Sequence, residues 1–204
     1  AILGGDLKGI EGLVNEALSN DVPPDILLTG GMIPAMDEVG NRFEKGSIYV
    51  PEMLISAHTM QSALKILKPL LVDSGVESAG KVIIATVKGD LHDIGKNLVS
   101  MMLEGAGFTI MDMGVNVNPE DIVEKVREEK PDALGLSALL TTTMVMMGKT
   151  LEALEAAGIR DQVKVIIGGA PVDQDFADEI GADGFARDAG QAVQVLRGLV
   201  EAAA

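Results

Sequence analysis

Five short apolar runs alternate with helical stretches from Lys81 onward, and this alternation constrains the fold more than any other feature of the sequence. Parallel strands need long crossover connections, and a sheet covered by those connections buries both faces of its strands. The pattern therefore predicts an α/β domain with a five-stranded parallel sheet that carries helices on both faces. The predicted strands are Val82–Val87, Phe108–Met111, Ala133–Leu136, Val163–Ile167 and Gly184–Ala186, and the predicted helices lie near 93–106, 119–129, 143–157, 174–180 and 189–202.

The sequence before residue 75 shows helical periodicity only. Apolar residues spaced three and four apart predict a first helix that ends near Ser19. Pro23 and Pro24 open a second helix, in which glycines at 30 and 31 and a proline at 34 predict a bend. Pro51 opens a third helix that ends at Asp73–Gly75, with a predicted buried face of Met53, Leu54, Ala57, Met60, Leu64, Leu67 and Leu71.

The two patterns predict two domains. A bundle of three or four helices occupies residues 1–76, and the α/β domain occupies residues 77–204. The stretch Val72–Gly80 is the only obvious linker in the sequence.

The chain contains no cysteine and only two histidines, His58 and His92. Without cysteine it cannot form a disulfide, a thiolate nucleophile, an iron–sulfur cluster or a Cys-ligated zinc site. Imidazole chemistry therefore depends on His58 or His92. His58 lies beside apolar neighbours on the third predicted helix, and we interpret it as a packed or interface residue.

The chain is strongly acidic, with 31 acidic and 16 basic residues and a net charge of -15. Such a chain repels phosphate backbones and anionic membrane surfaces, and no cluster of Lys or Arg offers a local exception. No apolar run approaches the ~20 residues that a bilayer span needs, and the first ten residues lack a signal-peptide pattern. We expect a cytoplasmic protein with no nucleic-acid and no membrane partner.

The loop predicted after the first strand, Lys88–Asn97, carries an Asp-x-His arrangement. Ligands of parallel α/β sheets bind beyond the carboxyl ends of the strands. The neutral imidazole of His92 can ligate a metal there through one ring nitrogen while Asp90 holds the other. Gly89 and Gly95 flank the pair and let a bulky group approach the backbone. The alternative is a loop histidine capped by a local carboxylate.

Two further loops lie at the same predicted edge of the sheet. The segment Ser137–Thr143 brings four hydroxyl groups, and the segment Ile167–Pro171 brings a glycine pair. Together they predict a polar, sterically open groove, which by itself is a generic α/β binding crevice.

These segments resemble the cobalamin-binding domain of the corrinoid methyltransferase family, which includes cobalamin-dependent methionine synthase. The family pattern D-x-H-x-x-G, S-x-L and G-G is matched, in order, by Asp90, His92 and Gly95, by Ser137 and Leu139, and by Gly168 and Gly169. The helical segment resembles the family's cap domain over residues 36–43 and 50–54. The resemblance covers nearly the whole chain and implies a helical cap followed by a Rossmann-like, flavodoxin-like cobalamin-binding domain.

The resemblance implies a cofactor, cobalamin or a related corrinoid such as methylcobalamin, bound in the base-off/His-on mode. In that mode the cofactor's own dimethylbenzimidazole leaves cobalt, and His92 replaces it as the lower axial ligand. Asp90 holds His92, and Thr143 stands at the third relay position, where the family has Ser. Ser137 is expected to hydrogen-bond the base of the displaced nucleotide tail.

The same resemblance implies the remaining contacts. Phe43 and Val50 on the cap shield the methyl group, at positions where the family has Phe and Leu. Phe185 packs on the nucleotide tail, at a position often held by Tyr. The other expected cofactor-binding residues are Asp93, Gly95, Leu139, Thr141, Gly168 and Gly169.

The function implied is that of a methyl carrier, non-catalytic alone. Its expected partners are a substrate-specific methyltransferase, a second methyltransferase that passes the methyl group to a pterin or thiol, and a reductive activator. Methanol, methylamines, methoxylated aromatics and betaines remain open as donors. One alternative is a cobalamin-binding sensor or storage module without methyl transfer, although such sensors often carry a Trp in the cap and this chain has none. Another is a mutase subunit that binds adenosylcobalamin and needs no such cap.

Overall fold

The first part of the chain is helical, as its periodicity predicts. A computed structural model describes residues 1–74 and 78–202. The predicted helix end at Gly75 and the domain boundary predicted between 76 and 77 lie outside these residues. A 3₁₀ turn at Ile2–Gly4 precedes α1 (Ile10–Ser19), α2 (Pro24–Leu27), α3 (Ile33–Glu44) and α4 (Val50–Ser74), and a π-helical turn, Leu28–Met32, stands where the glycine pair predicts a bend.

The residues Ala1–Ser78 and Met101–Gly107 form one compact unit. Its core is built largely from α4, whose predicted face is buried except for the half-buried Leu54. None of the helices within residues 1–74 and 78–202 combines the length and the apolar character that a membrane span requires. The interpretation of His58 as a packed residue is wrong, because His58 is exposed on α4, where its Nδ1 lies 3.4 Å from Gln61 Oε1. Its interpretation as an interface residue stays a prediction.

The second unit, Ala79–Ser100 and Phe108–Ala204, contains a five-stranded parallel sheet. Its strand order is β2-β1-β3-β4-β5, with every neighbouring pair parallel. This is the order of flavodoxin-like doubly wound folds, so the predicted fold class is confirmed. The strands are β1 (Lys81–Thr86), β2 (Thr109–Asp112), β3 (Ala133–Ser137), β4 (Lys164–Gly168) and β5 (Gly184–Phe185), and the helices are α5 (Ile94–Gly105), α6 (Pro119–Glu129), α7 (Thr141–Ala156), α8 (Gln174–Ile180) and α9 (Ala189–Glu201).

The central strands are held in place by burial on both faces. Ile83 on β1, Leu134 on β3 and Val165 on β4 are fully buried in one apolar cluster on one face of the sheet. Ile84 and Ile166, whose side chains point to the opposite face, are buried as well. Each such side chain contributes about 1.5–3 kcal/mol relative to an exposed position. This explains why the strands read as continuous apolar runs without alternation.

The strand order places a topological switch point between β1 and β3. The chain leaves β1 to form β2 on one side and then returns to form β3 on the other side. Connections that leave neighbouring strands in opposite directions open a crevice at the carboxyl edge of the sheet. The loops after β1 and β3 flank that crevice.

The glycine pair at the end of β4 has a different role from the open groove that the sequence indicates. A Cβ atom at Gly169 would lie 1.8 Å from the Ala138 carbonyl oxygen, and one at Gly168 would lie 2.9 Å from the Ala186 carbonyl oxygen. Gly169 also has a φ of 141°, which L side chains rarely adopt. The pair therefore lets backbone segments approach one another, and its contact with a cofactor stays a prediction.

Substitution of Gly169 by Ala should destabilise the protein far more than substitution of Gly181 by Ala. Both glycines have positive φ, but a Cβ at Gly181 meets nothing within 4 Å. We expect Gly181→Ala to cost about 1–2 kcal/mol for left-handed backbone, and Gly169→Ala to cost about 3 kcal/mol or more because overpacking adds to strain. Urea unfolding of the two variants measures this difference. Equal losses in the free energy of unfolding would show that the Ala138 backbone moves to make room for the added Cβ.

Candidate functional site

His92 lies in the loop between β1 and α5, with its ring held by Asp90. Its Nδ1 lies 2.7 Å from Asp90 Oδ1, and its backbone N–H donates to the same oxygen at 3.1 Å. An ionised carboxylate accepts hydrogen bonds only, so Nδ1 donates its proton to Asp90, and in the neutral imidazole Nε2 then keeps its lone pair. The His92 side chain is 51% exposed while that of Asp90 is 0% exposed. The arrangement presents Nε2 as a ligand.

Asp90 is buried where the loops after β1 and β3 meet. Its Oδ2 accepts the Leu139 N–H at 2.7 Å, the Leu140 N–H at 3.2 Å and the Thr143 hydroxyl at 2.7 Å. Burial alone raises the pKa of this carboxyl, but the hydrogen bonds from Leu139, Thr143 and His92 outweigh burial and hold its pKa well below the usual range. Asp90 therefore stays ionised and fixes the orientation of the imidazole.

Thr143 lies in the first turn of α7 and is buried. Its hydroxyl oxygen also lies 2.9 Å from the Leu140 carbonyl oxygen, but its single proton makes the stronger bond to the charged carboxylate. The structure thus joins Thr143, Asp90 and His92 in one hydrogen-bonded series. Their catalytic role stays a prediction.

Two residues that the sequence analysis missed also support the loop. The buried Thr86 hydroxyl, at the end of β1, donates to the His92 carbonyl oxygen at 2.9 Å. Asn116, after β2, accepts the Gly89 N–H on Oδ1 at 2.8 Å and donates its own N–H to the Asp90 carbonyl oxygen at 2.9 Å. A hydroxyl in the otherwise apolar run of β1 is the one sequence signal that points to Thr86.

Five large apolar side chains, here called the apolar rim, are exposed on the loop that carries His92 and on the two loops that are hydrogen-bonded to Asp90. Leu91 and Ile94, which flank His92 in its loop, are 70% and 77% exposed. The loops after β2 and β3, both hydrogen-bonded to Asp90, add the exposed side chains of Val115, Leu139 and Leu140. Exposed apolar side chains grouped in this way are typical of a binding surface. A metal held by a flat macrocycle fits this donor set, because the ring supplies the other ligands and apolar area to cover these side chains.

Several other predicted site residues lie at the same edge of the α/β unit. Asp93 and Gly95 are exposed at the start of α5, and a Cβ at Gly95 would meet nothing within 4 Å, so a bulky group has room there. Ser137 is half-buried at the end of β3, and Thr141 is exposed at the start of α7. Phe185 on β5 is half-buried and packs against the apolar cluster of the sheet.

The two predicted cap residues belong to the helical unit. Phe43 is half-buried near the end of α3, and Val50 is exposed at the start of α4. Their predicted shielding role is not tested by their positions within that unit.

Metal ligation by protein side chains alone has no candidate in the described ranges. Within residues 1–74 and 78–202 no group of three or more His, Asp or Glu side chains is arranged to hold a metal ion. The fold and the site instead define an α/β protein that presents one oriented imidazole beside an apolar surface, at the switch point where such folds bind cofactors.

Comparison with known proteins identifies the family. Residues 80–196 match the B12 binding domain family, and residues 1–68 match a second family that is also described as a B12 binding domain. The trimethylamine corrinoid protein of Methanosarcina barkeri is 44% identical over 199 residues, which cover 97% of this chain and 92% of that protein. The chain therefore belongs to the B12-binding-domain family of corrinoid proteins, as the sequence resemblance predicts.

Solved structures support the same assignment over nearly the full length. A cobalamin-binding protein from Desulfitobacterium hafniense DCB-2 superposes with a TM-score of 0.82 at 34% identity, covering 98% of this chain and 95% of that one. A chain of the methanol:cobalamin methyltransferase complex from Methanosarcina barkeri superposes with a TM-score of 0.85 at 29% identity, covering 98% and 77%. The predicted cap-plus-sheet architecture is therefore shared with these proteins.

Replacement of Asp90 by Asn should destabilise the protein by about 3 kcal/mol or more. The Asn amide has only one acceptor oxygen in place of the two carboxylate oxygens. Either the His92 donors or the donors of Leu139, Leu140 and Thr143 therefore lose their acceptor. The matched control is Asp175→Asn on α8, an exposed carboxylate in a first helical turn, which should cost no more than about 1 kcal/mol. Urea unfolding of the cofactor-free protein measures both variants, and similar losses would contradict the account of Asp90.

Two substitutions of Thr143 distinguish the contribution of its hydroxyl to stability from that of its methyl group. Thr143→Val keeps the shape but removes the donor to Asp90, so we expect a loss of about 1.5–3 kcal/mol. Thr143→Ser keeps the donor and should lose about 1 kcal/mol at most. The free energies of unfolding of the two variants decide between these values, and a Ser variant as unstable as the Val variant would show that packing dominates.

Proposed function

We propose that this chain is a corrinoid methyl carrier. In this role one methyltransferase loads a methyl group onto the bound cofactor, and a second one removes it. The observation that carries the proposal is the half-exposed His92 imidazole, whose Nδ1 is held by a fully buried carboxylate and whose loop carries part of the apolar rim. A corrinoid supplies a cobalt ion that accepts a methyl group from one protein and releases it to another.

His92 is proposed as the lower axial ligand, with the cofactor bound base-off/His-on. Asp90 fixes the tautomer by accepting the Nδ1 proton, and it keeps the ring from rotating because a second carboxylate oxygen is bound across the crevice. Thr143 contributes the donor that holds this second oxygen. The side chains do no chemistry on the methyl group themselves. They set the ligand, its direction and the polarity around it.

The apolar rim is proposed to exclude water and the cofactor's own base from the lower face. Leu91 and Ile94 flank the imidazole in the chain, and Leu139 and Leu140 stand on the loop that holds Asp90. Burial of such area contributes roughly 25 cal/mol for each Å² removed from water. The predicted shielding of the methyl group by Phe43 and Val50 is part of this proposal and depends on the family resemblance.

The proposed partners are a substrate-specific methyltransferase, a second methyltransferase that acts on a pterin or thiol, and a reductive activator. The trimethylamine corrinoid protein and the chain from the methanol:cobalamin methyltransferase complex support the first partner class. Their names make methylamines and methanol the first donors to test.

Cobalamin binding should depend on His92 and not on His58. We expect wild type and His58→Ala to give the absorption spectrum of a base-off corrinoid with a protein ligand when reconstituted with hydroxocobalamin. His92→Ala should give a different spectrum and a weaker complex, because the oriented ligand is lost. Absorption titration measures both properties. A spectrum that is indifferent to His92, or one in which dimethylbenzimidazole stays on cobalt, would contradict the axial-ligand proposal.

Methyl transfer should require the loaded chain together with a donor-specific methyltransferase. Wild type and His58→Ala should support transfer from trimethylamine or methanol in the presence of the cognate methyltransferase and reductant, whereas His92→Ala should reduce the rate by at least about tenfold. Consumption of the methyl donor and the change in the corrin spectrum are measured in the same assay. A protein that binds cobalamin tightly but accepts no methyl group from any methylamine or methanol system would favour the storage or sensor function.

A further inference from the structure

Asn116 is placed to control the backbone that carries Asp90. Its Oδ1 accepts the Gly89 N–H at 2.8 Å, and its N–H donates to the Asp90 carbonyl oxygen at 2.9 Å. The two hydrogen bonds hold the Gly89–Asp90 dipeptide at both ends. Two bonds from one residue restrict rotation as well as translation of that dipeptide.

The conformation of Asn116 makes this double contact possible. Its φ is 55°, in the left-handed region that Asn and Gly tolerate better than other residues. Gly89 also has a positive φ of 83°, so the dipeptide is held in a conformation that few sequences adopt.

The segment around Asn116 is itself bound to β1. The Thr86 N–H donates to the Gly114 carbonyl oxygen at 3.0 Å, and the Val117 N–H donates to the Thr86 carbonyl oxygen at 3.1 Å. Val87 and Val117 also form a parallel bridge, and both side chains are buried. Asn116 therefore stands on a support that is continuous with the sheet.

The hydrogen bonds to Asp90 come from opposite sides. Its carboxylate is held by the loop after β3, and its carbonyl oxygen is held by Asn116 after β2. A shift of the Asp90 backbone would tilt the carboxylate, and the His92 ring bonded to it would follow. The loop after β2 thus helps to set the direction in which Nε2 points.

We propose that Asn116 is a positioning residue for His92, which aims Nε2 at the metal by fixing the Gly89–Asp90 backbone. This rests on the proposed role of His92 as the axial ligand. Asn116 needs no contact with the cofactor for this role. Its side-chain oxygen and its left-handed backbone are the two features that the role requires.

Three variants separate these features. Asn116→Gly keeps the left-handed backbone and the N–H but removes Oδ1, whereas Asn116→Asp keeps an acceptor oxygen and should restore the wild-type properties. Asn118→Gly is the matched control, because the Asn118 amide donates to Asp121 and makes no bond to the His92 loop. All three are tested in the full chain.

Affinity and ligation are measured by absorption titration with hydroxocobalamin. Loss of one hydrogen bond worth about 1 kcal/mol predicts a roughly fivefold weaker complex for Asn116→Gly. We also expect a smaller fraction of bound cofactor with the spectrum that depends on His92. Asn116→Asp should recover most of the affinity, and Asn118→Gly should match wild type.

Hydrogen exchange of the cofactor-free protein gives an independent readout. The Gly89 amide should exchange faster in Asn116→Gly than in wild type, because its acceptor is gone. Faster exchange with unchanged affinity and spectrum would assign Asn116 to loop stability alone and overturn the positioning role. Unchanged exchange would overturn the hydrogen-bond account itself. If His92→Ala instead gives the same spectrum as wild type, the axial-ligand proposal fails, and the positioning role fails with it.

Discussion

The buried charge of Asp90 is the interaction on which the site depends. Burying a carboxylate is costly unless donors surround it. Asp90 receives donors from the His92 backbone and ring, from two backbone N–H groups after β3 and from the Thr143 hydroxyl. Those donors come from two loops, so one carboxylate holds both sides of the crevice. A neutral side chain would leave the imidazole free to turn and the loops free to separate.

The fold explains why these loops meet at all. In the order β2-β1-β3-β4-β5, the strands that precede Asp90 and Thr143 are neighbours, although the two residues are far apart in sequence. The sheet is held by apolar packing away from the Asp90 carboxylate. The polar network adds stability of its own, because a buried carboxylate that loses its donors is costly, and it also fixes the orientation of the imidazole.

The sequence predicted much of this arrangement, because periodicity and loop position are local signals. The five strands lie within a residue or two of their predicted bounds, and Asp90, His92 and Thr143 lie together. Asn116 could not be foreseen, since its contacts depend on how the loop after β2 runs beside the end of β1. The glycine pair at the end of β4 predicts an open groove, and the structure adds a role in backbone packing that the sequence does not indicate. Only the tertiary fold shows which atoms meet there.

Electron paramagnetic resonance of the cobalt(II) form tests the central claim most directly. The chain has two histidines, so a His58→Gln background leaves His92 as the only imidazole. In protein with ¹⁵N-labelled histidine, reconstituted with unlabelled cobalamin, the account predicts that the superhyperfine lines from the axial nitrogen are doublets. Triplets would show that the unlabelled dimethylbenzimidazole stays on cobalt, and they would contradict the account.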